Sequence, residues 1–211
     1  MRYTANPEKG TKLRLSLSPV RSRWLVVPLV LVALLTTATS ARAEQYPPSP
    51  NGEDIAFLQL GAVGELVTLE LFRAASHSEA LGASEQHTLG QLADQTSTAW
   101  RGFNSLLGEG AISREVFAVH IPASVLRSRD KTLALAARFE RLLTGLYLSG
   151  VQSTLDPPTR LLIGNHLLMS TQGLTVLRGM RGTKLNLKVP KQLSVEYVGE
   201  QFDNYLAIPS E

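Results

Sequence analysis

The sequence predicts an all-α fold: four long helices, a long crossover between the second and third, and a short helix near the C-terminus. Three observations predict it. Apolar residues recur at helical spacing over four stretches of roughly 25 residues. Capping and stop residues bracket these stretches, such as Asp156-Pro157-Pro158 before the fourth and Gly108 after the second. The joins are short, long and short. Short joins make neighbours antiparallel, and a long middle join lets the second and third helices run parallel.

Before the helices lies a leader. Residues 1–24 carry Arg2, Lys9, Lys12, Arg14, Arg21 and Arg23. An apolar run follows from Trp24 to Leu35, then Ala41-Arg42-Ala43 before Glu44. Basic region, apolar core and small-x-small site are the parts of a secretory signal, expected over residues 1–43. The run is shorter than the roughly 20 residues of a membrane span, so no stable span is expected after cleavage. An uncleaved anchor is the alternative. The expected location is secreted, periplasmic or cell-envelope.

Cleavage reverses the charge. Of the 21 basic and 18 acidic residues, seven and one lie in the leader, which leaves 14 and 17 and a net charge of −3. The sequence pI near 9.3 therefore comes largely from the leader, and nothing in the mature chain calls for nucleic acid. The chain has no cysteine, which excludes disulfides, thiolate metal sites and thiol catalysis.

Residues 44–52 form a Pro-rich linker, and residues 53–182 the helical domain. The first helix is expected over Glu53–Ser76, with Ile55, Leu58, Ala62, Leu66 and Leu69 in one stripe. Glu65 falls inside that stripe, whereas Glu70 falls on the polar side. The second helix runs from Ala83 or Ser84 to Leu107, with Leu89, Leu92, Thr96, Ala99, Phe103 and Leu106 facing in. Residues 109–127 form the crossover, extended over Val116–Ile121 and containing a short helix. The third helix starts near Ser128 and ends at Ser153. Its inner stripe is Leu133, Ala136, Glu140, Leu143 and Tyr147, and Arg138 and Arg141 mark its wet side. The fourth helix opens at Asp156 and continues to Gly179, with Leu162, His166, Met169, Ser170, Gly173 and Leu177 facing in. Residues 183–211 form an extension that is extended to Pro190 and helical over Leu193–Leu206.

Two carboxylates are thus placed on core faces, Glu65 and Glu140, with His166 on a third. Buried acids must be neutralised, paired or bound to metal. A single-ion site of Glu65, Glu140 and His166 is one reading. The other is a polar network in which Glu65, Glu140, Thr96, Ser170 and His166 share protons. His77, Glu79, Glu85 and His87 around the first turn offer a surface site for a divalent ion or a solvated loop. The chain has no Glu-x-x-His, Gly-x-Ser-x-Gly, phosphate-binding loop or dinucleotide turn.

Several stretches carry a family resemblance: DIAFLQLGAVGELVTLELF, WRGFNSLLG, RFERLLTGLYLSGV and TVLRGMRG. Over Glu53 to Arg178 the chain resembles the exported ferritin-like domains, which include plant desiccation-related and fungal and bacterial secreted members. The resemblance implies a ferritin-like four-helix bundle. In metal-binding members two helices give one Glu each and two give Glu-x-x-His. Carried over, the single Glu positions fall on Glu65 and Glu140. The two pairs fall on Thr96 with Ala99 and on Ser170 with Gly173, none of them a strong ligand. The implied protein has a degenerate di-metal site and a structural, stress-related or interaction role, non-enzymatic in the leading reading, with an enzyme or metal store as the competing class. No resident cofactor is expected. The alternatives are storage or redox chemistry at a reduced iron or manganese site of Glu65, Glu140 and His166, and an apolar-ligand carrier with space near Ala99 and Gly173. The partner is open, a homo-oligomer among the options.

Overall fold

Glycine and small residues let α1 (Gly52–Ser76) bury nearly its whole circumference. Leu58, Ala62, Leu66, Val67, Leu69, Leu71 and Phe72 are all inaccessible or almost so. Its length and hydropathy equal those of a membrane span, yet 61% of its most apolar window is buried within the fold. The apolar character of α1 is therefore used mostly against neighbouring helices.

The computed structural model describes residues 50–207 other than 51, 116 and 184–189. They belong to one compact unit, Pro48–Glu211. The expected signal peptide and most of the linker lie outside the described residues. The unit is mostly helical, as the sequence predicts. After α1 come α2 (Ala83–Leu107), a 3₁₀ turn (Gly108–Gly110), β1 (Ala118–Val119) and α3 (Ala123–Leu126). Then follow α4 (Arg129–Ser153), α5 (Pro157–Met180), α6 (Val195–Asp203) and β2 (Leu206–Ala207).

The caps explain the boundaries. Asp156 accepts the Thr159 N–H at 2.9 Å and the Thr159 hydroxyl at 2.6 Å, and prolines occupy the first turn of α5. Ser128 and Ser194 cap α4 and α6 in the same way. Helix α2 stops at Gly108, whose φ of 56° lies where a side chain would clash.

The contacts between helices fix their directions. At one end of the unit, both carboxylate oxygens of Asp54 accept N–H groups of the α4–α5 turn, from Leu155 and Asp156, each at 3.1 Å. At the other end the Ser78 hydroxyl donates to the Leu126 carbonyl at 2.6 Å, so α1 and α4 are antiparallel. Gly61 of α1 lies against Phe103 of α2, Gly102 of α2 against His166 of α5, and Gly150 of α4 against Ile163 of α5. Each neighbouring pair is antiparallel, which makes α2 and α4 parallel and sends the crossover along the full length of the unit. Asn104 holds the start of that crossover with two hydrogen bonds to Ile112, at 2.8 and 3.0 Å. Thr132 holds its end through the Val125 carbonyl.

Some expectations are corrected. Ile55 and Leu106, expected to face in, are each 36% exposed, because both lie near helix ends where fewer neighbours cover them. The last helix stops at Asp203, not Leu206. The chain turns there, and Leu206 and Ala207 pair antiparallel with Val119 and Ala118. The His120 N–H donates to the Tyr205 carbonyl at 2.8 Å, so the tail clasps the crossover. Glu70, expected on the polar side, lies within ion-pair distance of Arg114 at 3.0 Å and Arg73 at 3.5 Å. Glu85 at the first turn accepts from Arg129 at 2.7 Å and from the Gly82 N–H at 3.1 Å, which commits it to tying α2 to α4.

Candidate functional site: a buried pair of carboxyl groups

The seam between α1 and α4 carries three polar side chains among leucines. Glu65 is 3% exposed, Glu140 4% and Tyr147 1%. Each is there for a reason of spacing. Glu65 is three residues after Ala62 and seven after Leu58. Glu140 and Tyr147 are seven apart, which is two helical turns and one face.

The Tyr147 hydroxyl donates to Glu65 Oε1 at 2.6 Å. Glu140 lies near enough to Glu65 for their charges to repel, and the Ser170 side chain of α5 beside it favours its charged form. Burial pushes the Glu65 carboxyl up to about 8, against which the Tyr147 hydrogen bond pulls weakly down. Burial, then repulsion from Glu65, raises Glu140 well above the usual carboxylate range. Burial likewise raises the Tyr147 phenol, reinforced by the Glu65 charge. At neutral pH the stable form is a protonated pair with Tyr147 as donor.

Gly173 makes room for this pair. A Cβ at that position would sit 2.7 Å from Glu140 Oε1 and 3.0 Å from its carboxyl carbon. Glu140 therefore occupies the space that any side chain of residue 173 would need. Beside it is a cavity of about 10 Å³, lined by Glu65, Glu140, Thr96, Ala99, Met169 and Ser170. That volume is at the lower limit for one water and far below the roughly 300 Å³ of small ligand pockets. It gives an apolar carrier near Ala99 and Gly173 no support.

His166 lies apart from the hydrogen-bonded groups. Its ring packs on Phe103 with centroids 4.9 Å apart and lies 6.2 Å from that of Tyr147. Neither ring nitrogen has a hydrogen-bond partner among the described residues, and burial lowers the imidazole to about 4. A neutral ring packed at a tilt against its aromatic neighbours is the consequence.

In favour of a metal ion, two carboxyl groups converge, and Glu140 Oε2 is buried without a hydrogen-bond partner among the described residues. Against this, no group of three or more His, Asp or Glu side chains converges to hold an ion among the described residues. The four other positions of the implied di-metal pattern hold Thr96, Ala99, Ser170 and Gly173, and the last is filled by Glu140 itself. The residues present do not fit a di-metal group.

Comparison with family models, curated proteins and solved structures yields no match. The reading of the site rests on its own residues. Tyr147, read from sequence as core, is the direct partner of Glu65. Its spacing of seven from Glu140 was the signal that joined it to the site. Asp54, buried to 1% exposure, is a second polar group that periodicity alone did not single out.

Proposed function

We propose that this protein is an exported, ferritin-like four-helix bundle in which a protonated carboxyl network stands where metal-binding relatives of that architecture hold two ions. On this reading it is a structural or interaction protein of the cell exterior, not an enzyme. A stress-related role follows from the likeness to desiccation-related members alone. The observation that carries the reading is the packing of the Glu140 carboxyl against the bare backbone of Gly173. It removes a ligand position and uses one acid to fill it. The tight Tyr147–Glu65 hydrogen bond supports it further, since it engages the second acid. The near-antiparallel order of α1, α2, α4 and α5, with a full-length crossover between α2 and α4, supports the architecture.

A reduced iron or manganese site is the second reading, favoured by Glu140 Oε2, which has no hydrogen-bond partner among the described residues. One experiment separates them. Purified protein is loaded with Fe(II) or Mn(II), desalted and analysed for bound metal. The network reading expects no stoichiometric metal and the same residual amount in Glu65→Ala and Glu140→Ala. Stoichiometric metal that disappears in both variants overturns it.

A further inference from the structure

Cations collect on the face of the molecule opposite in character to the buried acids. No Asp or Glu occurs between Asp156 and Glu196, a stretch that carries six Lys and Arg residues. The fold brings part of this stretch onto α4. Antiparallel packing sets Arg178, in the last turn of α5, near Arg138 and Arg141, which share one face of α4 at a spacing of three. The Leu193 N–H donates to the Gly145 carbonyl at 3.1 Å, which lays residues 190–194 along α4. Between these walls is a cleft of about 480 Å³ lined by Arg138, Arg141, Arg178, Lys191, Leu193 and Tyr197.

Among the described residues no acid forms an ion pair with the cations of this cleft; the ion pairs there involve Arg73, Arg114 and Arg129. Arg138 donates to the neutral amide of Gln201 at 2.5 Å. Glu196, the acid nearest Lys191 in sequence, lines a separate groove with Glu53. Glu140, on the same helix, is buried on the opposite side. Four like charges converging on one volume repel one another, and an anion there relieves that repulsion. A carboxylate has two oxygens and is satisfied by a single guanidinium fork. Several guanidinium groups and an ammonium around one volume match an anion with more oxygens, such as a phosphate. The cleft is not purely polar. Leu142 and Pro190 complete its lining beside Leu193, and the Tyr197 ring is 47% exposed. Its volume falls within the roughly 300–1,000 Å³ of small-molecule sites.

We infer that the cleft between α4, the end of α5 and residues 190–197 binds a phosphate-bearing amphiphile. Arg141, Arg178 and Lys191 take the phosphate, and Leu193 and Tyr197 take the start of the apolar chain. The phosphate is either that of a soluble alkyl phosphoester or the headgroup of an anionic lipid in a bilayer. This assignment stands independently of the reading of the buried acids.

The test uses purified protein and three soluble probes: hexyl phosphate, inorganic phosphate and hexanol, each followed by calorimetric titration. Saturable one-to-one binding of hexyl phosphate is expected, with the other two at least about tenfold weaker because each lacks half of the recognition. Arg141→Gln and Lys191→Gln alter exposed side chains and should leave the helical circular dichroism and melting unchanged. Each should weaken hexyl phosphate by about tenfold, the value of one charge-assisted contact. Vesicles of phosphatidylglycerol in phosphatidylcholine then separate the sources. Binding that the same variants weaken and hexyl phosphate displaces marks a lipid headgroup. Binding of hexyl phosphate without vesicle binding marks a soluble ester. The assignment is overturned if hexyl phosphate does not bind saturably. It is overturned equally if inorganic phosphate binds as well as hexyl phosphate, or if both variants bind like wild type.

Discussion

Replacing Glu65 by Gln should make the protein more stable at alkaline pH and leave it almost unchanged in mild acid. Gln keeps the shape of the side chain and an oxygen that can accept the Tyr147 hydroxyl, and it removes the ionisation. The Glu65 carboxyl titrates at about 8 in the folded chain against 4.5 unperturbed. Between those values the folded state holds a proton that the unfolded state has released, so stability falls as pH rises. The linkage relation makes the loss from Glu65 about 1 kcal/mol at pH 5 and about 4 kcal/mol at pH 8. Glu65→Gln recovers that loss. Its advantage over wild type should therefore grow by about 3 kcal/mol between the two pH values.

His166 dictates the best window. Its pKa is depressed to about 4 from 6.5, so its contribution is lost as pH falls through that interval and is constant above it. Urea unfolding followed by circular dichroism from pH 6.5 to 8 isolates the acids. Wild type should lose stability across this window by up to about 1.4 kcal/mol per pH unit for each acid. Glu65→Gln should lose less, retaining only the slope from Glu140. Glu140 is itself released from the repulsion of a charged neighbour in this variant. A wild-type slope preserved in Glu65→Gln, or a variant less stable than wild type at pH 8, would refute the argument that Glu65 is held neutral by burial.

Other changes should read out neighbouring contacts. Tyr147→Phe removes the donor to Glu65 and should cost about 2 kcal/mol at pH 6 by urea unfolding. The Glu65 titration should move to higher pH, because that hydrogen bond lowers it. Gly173→Ala gains about 1 kcal/mol of helix propensity but drives a methyl into the Glu140 carboxyl, for a net loss of about 1–2 kcal/mol. A double-mutant cycle with Glu140→Ala should return a coupling of at least about 1 kcal/mol. Gly145→Ala places its Cβ 2.6 Å from Leu193 and 2.9 Å from the Lys191 carbonyl oxygen. Residues 190–194 should lift from α4, seen as faster hydrogen exchange at Leu193 and faster tryptic cleavage after Lys191. Asp54→Ala leaves the Leu155 and Asp156 N–H groups without their acceptor and should lower stability by about 2–4 kcal/mol, measured by urea unfolding.

The long helices were legible because their signals are local. Asp156 with two prolines and Gly108 act within one turn, and the predicted ends fall within one or two residues of those observed. What failed was set by distance in the chain. Ile55 and Leu106 obey the right period, but exposure at a helix end depends on whether another element reaches that far. The tail strand at Leu206 exists only because the crossover lies beside it, and no periodicity in LSVEYVGEQFDNYL encodes a partner some ninety residues earlier.

The candidate site divides along the same line. Spacing alone puts Glu65, Glu140, Tyr147 and His166 on inner faces. It does not say which of them touch, because that depends on the axial register of one helix against another. Register gives Glu65 to Tyr147, sets Glu140 on Gly173 and sends His166 to Phe103, so four inward polar groups do not become one cluster. The same register unites cations that look unremarkable singly. Arg138 and Arg141 read as a wet face and Arg178 as the end of a helix. Only their meeting with Lys191 makes a cleft that no acid among the described residues lines. The buried acids are costly above neutral pH, and a well-packed apolar pair would be more stable there. Stability at such pH therefore gives no reason for Glu65 and Glu140 together. Their specific geometry does: the Tyr147 hydroxyl is satisfied by the Glu65 carboxyl, and the Glu140 carboxyl fills the space that Gly173 leaves open. Such matched pairs hold α1 and α5 at one register against α4, and that register in turn sets Arg178 beside Arg138 and Arg141.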